Sequence, residues 1–364
     1  MVPHNDRIDG LDSLRGFAAM GILLLHTIAL LKLHAWSELP TFVAYLSLAV
    51  PLFFAISAFS LCVGYFGKLN DSRQIQRFFQ RRYLRIAPLF YFMMLVYLTR
   101  RLYLGWGIPS LDEILINLTF IFSFLPGYHE SIVAAGWSIG IEMAFYAVFP
   151  VFIYFMKDIR SSTIVFLASI AVAIFASAAI RAAGLHRTFD WMNPVSQAPF
   201  FTGGILMFHL YRWLSPRANA WGWLMAAILL VAVPSAIWLS SKTGLLRLQI
   251  LGWPIDRHFV GILLLPLLLA FALYPFSAIV NRVTVFVGSI SYGIYLIHPW
   301  VINVLGVRVK TALVDAGLAG AWVSVPTIAF VAGMSVLLGT LTYYGLERPC
   351  LRLGSRRRAT PVAA

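Results

Sequence analysis

Long apolar runs, separated by short polar segments, recur along the whole chain. Two of them, residues 163–180 and 259–276, approach the roughly 20 residues that an α-helix needs to cross a hydrocarbon core about 30 Å thick. The pattern predicts ten membrane-spanning helices, over residues 13–33, 42–66, 86–104, 132–156, 163–182, 197–214, 222–240, 259–276, 283–305 and 322–345. One further apolar stretch, residues 114–125, is too short to span the membrane, and we expect it to be re-entrant or to lie along the interface.

The composition is typical of an integral membrane protein. Of the 364 residues, 60% are hydrophobic and only 12% are charged, whereas a soluble domain carries about 25% charged residues. We therefore expect an all-α fold, a polytopic helical membrane protein with about ten transmembrane helices. Residues 1–350 would form one integral membrane domain, and residues 351–364 a basic, disordered cytoplasmic tail.

The basic residues predict the orientation of the chain. With the N-terminus inside, 18 of the 28 Lys and Arg residues fall on the cytoplasmic side, and such an excess is typical of cytoplasmic loops. We expect both termini and the loop 67–85 to be cytoplasmic. The net charge of +14 is dispersed among loops, so we expect no nucleic acid partner.

The first predicted span carries two ionisable residues, Arg15 and His26. They are 11 residues apart, so they share one helix face about 16 Å apart along the axis. Asp12 lies one turn before Arg15 and can pair with it. Ionisable side chains inside a membrane mark functional sites by default, although Arg15 can also simply reach the interface and His26 can bond a neighbouring carbonyl.

Arg82 and Arg85 lie one turn apart at the inner end of the third predicted span, next to Arg81. Arginine forks match the oxygens of phosphate groups. The spacing alone equally fits a basic anchor at the inner face.

Glu142 lies in the fourth predicted span with no cation near it in sequence. Ser138 and Tyr146, four residues before and after it, share its helix face. An unpaired carboxylate there costs several kcal/mol, so Glu142 must be protonated or paired with a group on another helix. A histidine is the natural partner, since a carboxylate that fixes the imidazole tautomer makes it a better base.

Ser291, Tyr295 and His298 form a polar stripe on the ninth predicted span. His298 falls at a depth similar to that of His26. The alternative is a seam of hydrogen bonds between helices, for which membrane proteins use Ser and Tyr.

Taken together, these segments resemble the membrane acyltransferase family three, the multi-span O-acyltransferases of bacterial surface polysaccharides and glycosides. The resemblance covers nearly the whole chain. One departure is Ala58 after Ser57, where the family usually has glycine. The matching fragments are LDSLRGFAAMGILLLH, PLFFAISAFSL, RRYLRIAP, WSIGIEMAFYAVFP, SYGIYLIHP and the closing ERP.

The resemblance implies an acyl-CoA donor, commonly acetyl-CoA, used from the cytoplasmic side of the bacterial inner membrane. The acceptor would be a carbohydrate hydroxyl at the outer side, and membrane lipids would surround the protein. No metal and no permanently bound cofactor is expected. The site roles that we expect are catalysis by His26 and Glu142, donor binding by Arg15, Arg82 and Arg85, and acceptor binding or structural support by Asp12, Ser57, Trp137, Ser138, Ser291, Tyr295 and His298.

In the expected mechanism His26 is the general base, and Glu142 orients it or stabilises the imidazolium. A covalent acyl-His26 relay stays open. A function from another class, a proton-coupled transporter of a glycan or small solute, would use the intramembrane Glu and His as its proton relay. The inner arginines distinguish the two, because a proton relay needs no phosphate-binding cations.

Overall fold

A computed structural model describes residues 8–33, 45–217, 221–242, 249–250 and 253–356. These residues form sixteen α-helices and one two-stranded hairpin, β1 (Gln249–Ile250) paired with β2 (Trp253–Pro254). The all-α fold class is thus confirmed. The first eight helices are α1 (Asp9–Leu31), α2 (Ala49–Tyr65), α3 (Ser72–Tyr103), α4 (Leu111–Leu118), α5 (Trp137–Phe155), α6 (Ile159–Ala182), α7 (Arg187–Trp191) and α8 (Pro194–Leu214).

The second half of the chain contains shorter and more broken helices. Two π-helical turns, Ile302–Gly306 and Tyr343–Glu347, interrupt its last elements. The predicted tail 351–364 begins inside the final helix, and residues 357–364 lie outside the described part. The helices are α9 (Gly222–Lys242), α10 (Ile255–Leu263), α11 (Pro266–Leu273), α12 (Arg282–Ser289), α13 (Ser291–Val301), α14 (Val307–Asp315), α15 (Ala321–Thr342) and α16 (Arg348–Arg356).

Six helices within the described ranges are long and apolar enough to cross a membrane, or seven if a bent pair counts as one span. The predicted count of ten is therefore not confirmed. The predicted spans 86–104, 197–214 and 259–276 are helical but fall short, because α3 and α8 carry more polar residues and residues 258–273 form a shorter apolar segment. The stretch 114–125 is, as predicted, too short to span: it folds into α4 and a 3-10 turn at Ile121–Phe124.

Side-chain caps fix where several of these helices begin. Asp158 accepts a hydrogen bond from the backbone N–H of Ser161 before α6, and Asn193 accepts from Ser196 before α8, where Pro194 takes the first helical position. Asn281 and Thr284 form a reciprocal capping box at α12. Such caps satisfy the N–H groups that a helix leaves free at its start.

Two glycines let helices touch backbone to backbone. A Cβ atom added at Gly288 of α12 would overlap the carbonyl oxygen of Asp12 in α1, and one at Gly204 of α8 would overlap that of Ala55 in α2. Small residues at such crossings allow close helix packing in membranes. The contacts bring α1 against α12 and α2 against α8.

The candidate site lies where α1, α2, α3, α5 and α13 meet. The chain bends by 68° between α12 and the helices that follow, at Ile290. This bend separates Gly288, which packs on α1, from Ser291 and Tyr295, which face the site. A stack of buried aromatic rings packs behind α5, with the ring centroids of Phe145 and Phe201 only 3.9 Å apart.

Candidate active site

A cavity of about 790 Å³ opens between these helices. It is within the size range of small-molecule and cofactor sites. Its wall contains most of the predicted site residues, from five separate segments of sequence: Asp12, Arg15, Ser57, Arg82, Arg85, Ser138, Glu142, Ser291 and Tyr295.

One end of the cavity is strongly cationic. Arg15 is held by Asp12, with 2.9 Å between Nη1 and Oδ1, and its Nη2 donates to the hydroxyl of Ser60 at 2.8 Å. The predicted pair of Asp12 and Arg15 is therefore present. Arg85 lines the same end, together with Lys68, Arg77 and Arg81.

Arg82 is packed among aromatic rings in this cationic end. Its guanidinium carbon lies 5.5 Å from the ring centre of Tyr65 and 5.9 Å from that of Tyr146. Its Nη2 reaches the hydroxyl of Tyr65 at 3.5 Å, whereas its buried Nε has no hydrogen-bond partner. A buried donor without a partner is costly.

Glu142 lies at mid-height in the wall. Its Oε1 accepts hydrogen bonds from the hydroxyls of Ser57, at 2.8 Å, and of Tyr146. It is close enough to Arg15 and Arg82 to interact with both electrostatically. Its hydrogen-bond partners are thus hydroxyl groups, and the cations near it are arginines of other helices rather than the expected histidine.

The partner of His26 is His298. Nδ1 of His26 and Nε2 of His298 are 2.8 Å apart, with the two rings nearly parallel. Nδ1 of His298 lies 3.2 Å from the carbonyl oxygen of Ile294, which can only accept. In the neutral pair, therefore, His298 carries its proton on Nδ1 and His26 donates from Nδ1, which leaves Nε2 of His26 as a free base.

This contact corrects the predicted arrangement of the two catalytic residues. We expected Glu142 to orient His26, and within the described ranges no hydrogen bond joins them. Glu142 is instead held by the hydroxyls of Ser57 and Tyr146, and the contact to His26 comes from His298 of the ninth predicted span. His26 and His298, which were predicted to lie at a similar depth, are in direct contact.

Tyr295 separates the histidine pair from the cavity. Its hydroxyl bonds that of Ser138 at 2.9 Å, and its ring centre is 5.8 Å from that of His298. Tyr295 lines the cavity, whereas the two histidines do not. His298 is fully buried and His26 is partly exposed, so His26 is approached from a side other than the cavity.

Trp137 has a structural place beside the site. It begins α5 and packs against Phe54, with 6.3 Å between ring centres, and it is not part of the cavity wall.

The sequence analysis assigned no role to two residues at or near the cavity, Ser60 and Glu347. Ser60, which holds Arg15, lies one turn after Ser57, a spacing that could have revealed it. Glu347 is buried, near Arg85, and neither carboxylate oxygen has a hydrogen-bond partner. Its only sequence signal is the closing ERP segment. In the part of the chain that the structure describes, no group of three or more His, Cys, Asp or Glu side chains could hold a metal ion.

Comparison with known proteins decides the family. The sequence model of the family described as "Acyltransferase domain" matches residues 8–344, nearly the whole chain. The chain belongs to this acyltransferase family. The resemblance inferred from the six fragments is thereby confirmed, as is the expectation that the protein is an enzyme of the acyltransferase class.

Two curated relatives cover most of this acyltransferase. Exopolysaccharide production protein ExoZ of Rhizobium meliloti (strain 1021) is 26% identical over 320 residues, which are 85% of the present chain and 91% of ExoZ. Acyltransferase MdmB of Streptomyces mycarofaciens is 26% identical over 399 residues, covering 100% of the present chain and 96% of MdmB. No solved structure matches the chain.

Proposed function

We propose that this acyltransferase moves an acyl group from acyl-CoA to a hydroxyl group of a carbohydrate. The observation that supports this most is the order of groups along the bundle. Arginines, which suit phosphate oxygens, line one end of the cavity, and the histidine pair lies behind Tyr295 at the other. The relative ExoZ is named for exopolysaccharide production, which supports a carbohydrate acceptor.

The arginine end would hold the phosphates of coenzyme A. Arg15, Arg82 and Arg85 lie on two helices and face one space, and forked guanidinium groups suit phosphate oxygens. The Nε of Arg82, which has no hydrogen-bond partner, could donate a hydrogen bond to a phosphate oxygen. The negative charge of Glu142 would partly offset the repulsion between Arg15 and Arg82.

The acyl thioester would reach the Tyr295 end. Arg15 and His26 are 11 residues apart on α1, a rise of about 16 Å, which the extended arm of coenzyme A can bridge. Because the Tyr295 ring lies between the cavity and the histidine pair, it must turn aside for the reaction. Nε2 of His26 then takes the proton of the acceptor hydroxyl while the hydroxyl oxygen attacks the thioester carbonyl carbon. The C–S bond then breaks, and the proton passes from His26 to the leaving coenzyme A thiolate.

His298 acts through His26. By accepting from Nδ1 of His26 it holds the tautomer whose Nε2 is free, and it stabilises the imidazolium that forms. Ser138 and Tyr295, bonded to each other at the end of the cavity, are the nearest hydroxyl donors for the oxyanion.

The sidedness follows from the charge distribution. We infer that the arginine end faces the cytoplasm of a bacterial inner membrane and that His26 is reached from the outer half. Single cysteines at Asn70 and at Gly184, in a chain without Cys62 and Cys350, test this. An impermeant maleimide applied to intact cells should label residue 184 and miss residue 70, and the reverse would overturn the assignment.

The test of the function is transfer of radiolabelled acetyl from acetyl-CoA into the glycan fraction, by membranes that contain the protein. His26→Ala should abolish transfer while coenzyme A binding persists, because base catalysis of this kind contributes about 10²–10⁴-fold. Substantial transfer by a well-folded His26→Ala protein would exclude the general base. Solute uptake by proteoliposomes, without any coenzyme A dependence, would favour the transporter.

A further inference from the structure

The cavity changes character along its length. Beyond Glu142, away from the arginines, its wall is formed by Val50, Phe53 and Phe54 of α2 and by Ile139 of α5. Val50, Phe54 and Ile139 are at most 5% exposed. Among the described residues, the hydroxyls at this end are those of Ser138 and Tyr295, which bond each other.

Helical rise places these residues relative to the catalytic groups. Phe53 lies about 6 Å and Val50 about 10 Å from Ser57, toward the start of α2. Ser138 lies about 6 Å from Glu142, toward the start of α5. The ring centre of Phe53 is 5.7 Å from that of Tyr295 in an edge contact, so the apolar end lies beside the Tyr295 layer that covers the histidine pair.

No charged side chain of the described residues lines this apolar end. The acidic and basic residues of the wall are those at the arginine end together with Glu142, and Glu142 is already engaged by Ser57 and Tyr146. A carboxylate placed between Phe53 and Ile139 would lose its water without gaining a partner, which is strongly unfavourable.

Resting on the proposed function, we propose that this end is the acyl pocket and that it selects a short, uncharged acyl chain, with Phe53 as the wall that limits chain length. The thioester carbonyl would lie at Ser138 and Tyr295, and the acyl carbons would contact Val50, Phe53, Phe54 and Ile139. Acetyl fits this description, whereas succinyl does not.

Phe53 is the residue to change. Phe54 is clamped by Phe201 and Trp137, at 4.7 and 6.3 Å between ring centres, so its removal would disturb packing. Phe53 is partly exposed, and its one ring contact within the described ranges is with Tyr295. Phe53→Ala should lengthen the pocket and Phe53→Trp should shorten it. Phe92→Ala, on the exposed face of α3, is the matched control for loss of an aromatic ring.

The experiment measures displacement of a fluorescent coenzyme A analogue from the purified full-length protein by coenzyme A, acetyl-CoA, hexanoyl-CoA and succinyl-CoA. The wild type should bind acetyl-CoA better than hexanoyl- or succinyl-CoA. Phe53→Ala should raise the preference for hexanoyl over acetyl by roughly tenfold or more, since one methylene in such a pocket is worth about 10–200-fold. Phe53→Trp should weaken acetyl-CoA but not free coenzyme A, and Phe92→Ala should match the wild type.

The outcomes separate the two proposals. If coenzyme A binds normally but Phe53→Ala leaves the hexanoyl-to-acetyl ratio unchanged, or if succinyl-CoA binds the wild type as well as acetyl-CoA does, the acyl pocket is misassigned and the proposed function stands. If no coenzyme A species binds the wild-type protein, the proposed function fails, and this assignment fails with it.

Discussion

The contact between His298 and His26 makes the sharpest prediction. His298→Leu replaces the imidazole with an apolar side chain of similar bulk and removes the acceptor that lies 2.8 Å from Nδ1 of His26. A donor left unsatisfied in a buried place costs about 1–3 kcal/mol, and each 1.36 kcal/mol in the barrier is tenfold in rate. We therefore expect kcat to fall by roughly 5- to 150-fold.

The conservative variant separates positioning from packing. In His298→Gln the amide oxygen can reach the place of the imidazole Nε2 and accept the same hydrogen bond, so this variant should recover much of the activity. His209→Leu is the matched control, because His209 is also buried, its Nε2 donates to the carbonyl oxygen of Met156, and it is not part of the cavity wall. It should lower Tm without a selective loss of kcat.

The assay is acetyl transfer from radiolabelled acetyl-CoA, with kcat and KM determined separately and repeated from pH 5.5 to 8.5. Loss of the partner should change kcat and move the acidic limb of the pH profile while KM for acetyl-CoA stays near its wild-type value. Full activity in His298→Leu, or equal impairment of the Leu and Gln variants, would refute the positioning role.

Three further predictions concern donor binding, packing and pH. Arg82→Ala should weaken acetyl-CoA binding, measured by calorimetry, by tenfold or more. Arg82→Lys should keep only part of the wild-type affinity because lysine lacks the forked geometry. Unchanged affinity in both variants would mean that Arg82 serves only as a basic anchor at the inner face. Gly288→Ala should lower Tm by an amount equivalent to about 1–3 kcal/mol, since its Cβ would meet the backbone of α1, whereas Gly345→Ala, with open space around it, should be neutral. Burial lowers the pKa of His129 below the usual 6.5, and its Nε2 contacts Thr188 while its Nδ1 accepts from a backbone N–H. The unfolded chain therefore binds more protons at acid pH than the folded protein does, so the contribution of His129 to stability should be complete above about pH 6.5 and should fall as the pH drops below that value. His129→Gln should make Tm less dependent on pH in thermal melts across pH 5–8. An unchanged dependence of Tm on pH would contradict this role of His129.

The sequence predicted individual helix faces better than the contacts between helices. Ser138 and Glu142 were expected to share a face because 3.6 residues make a turn, and both line the cavity. Which faces meet is a tertiary property. The position of Glu142 in the sequence does not distinguish a histidine partner from an arginine partner. In the structure Glu142 contacts Ser57 of α2 and Tyr146 of α5 instead of His26, and it interacts electrostatically with Arg15 and Arg82.

The number of spans was hard to predict for a related reason. A ten-span pattern assumes straight helices of uniform apolarity. In α3 a single 32-residue helix joins a basic half that carries Arg82 to an apolar half, and residues 282–315 bend sharply at Ile290. Both irregular segments contribute to the cavity wall, α3 through Arg82 and Arg85 and α13 through Ser291 and Tyr295.

The thin partition formed by Tyr295 has a consequence for the cell as well as for the reaction. The ring of Tyr295, held by Ser138 and packed against Phe53 and His298, lies between the cavity and the histidine pair. Under the two-sided transfer proposed above, this ring would also limit the leak of protons through the protein between turnovers, and so would help to preserve the proton-motive force.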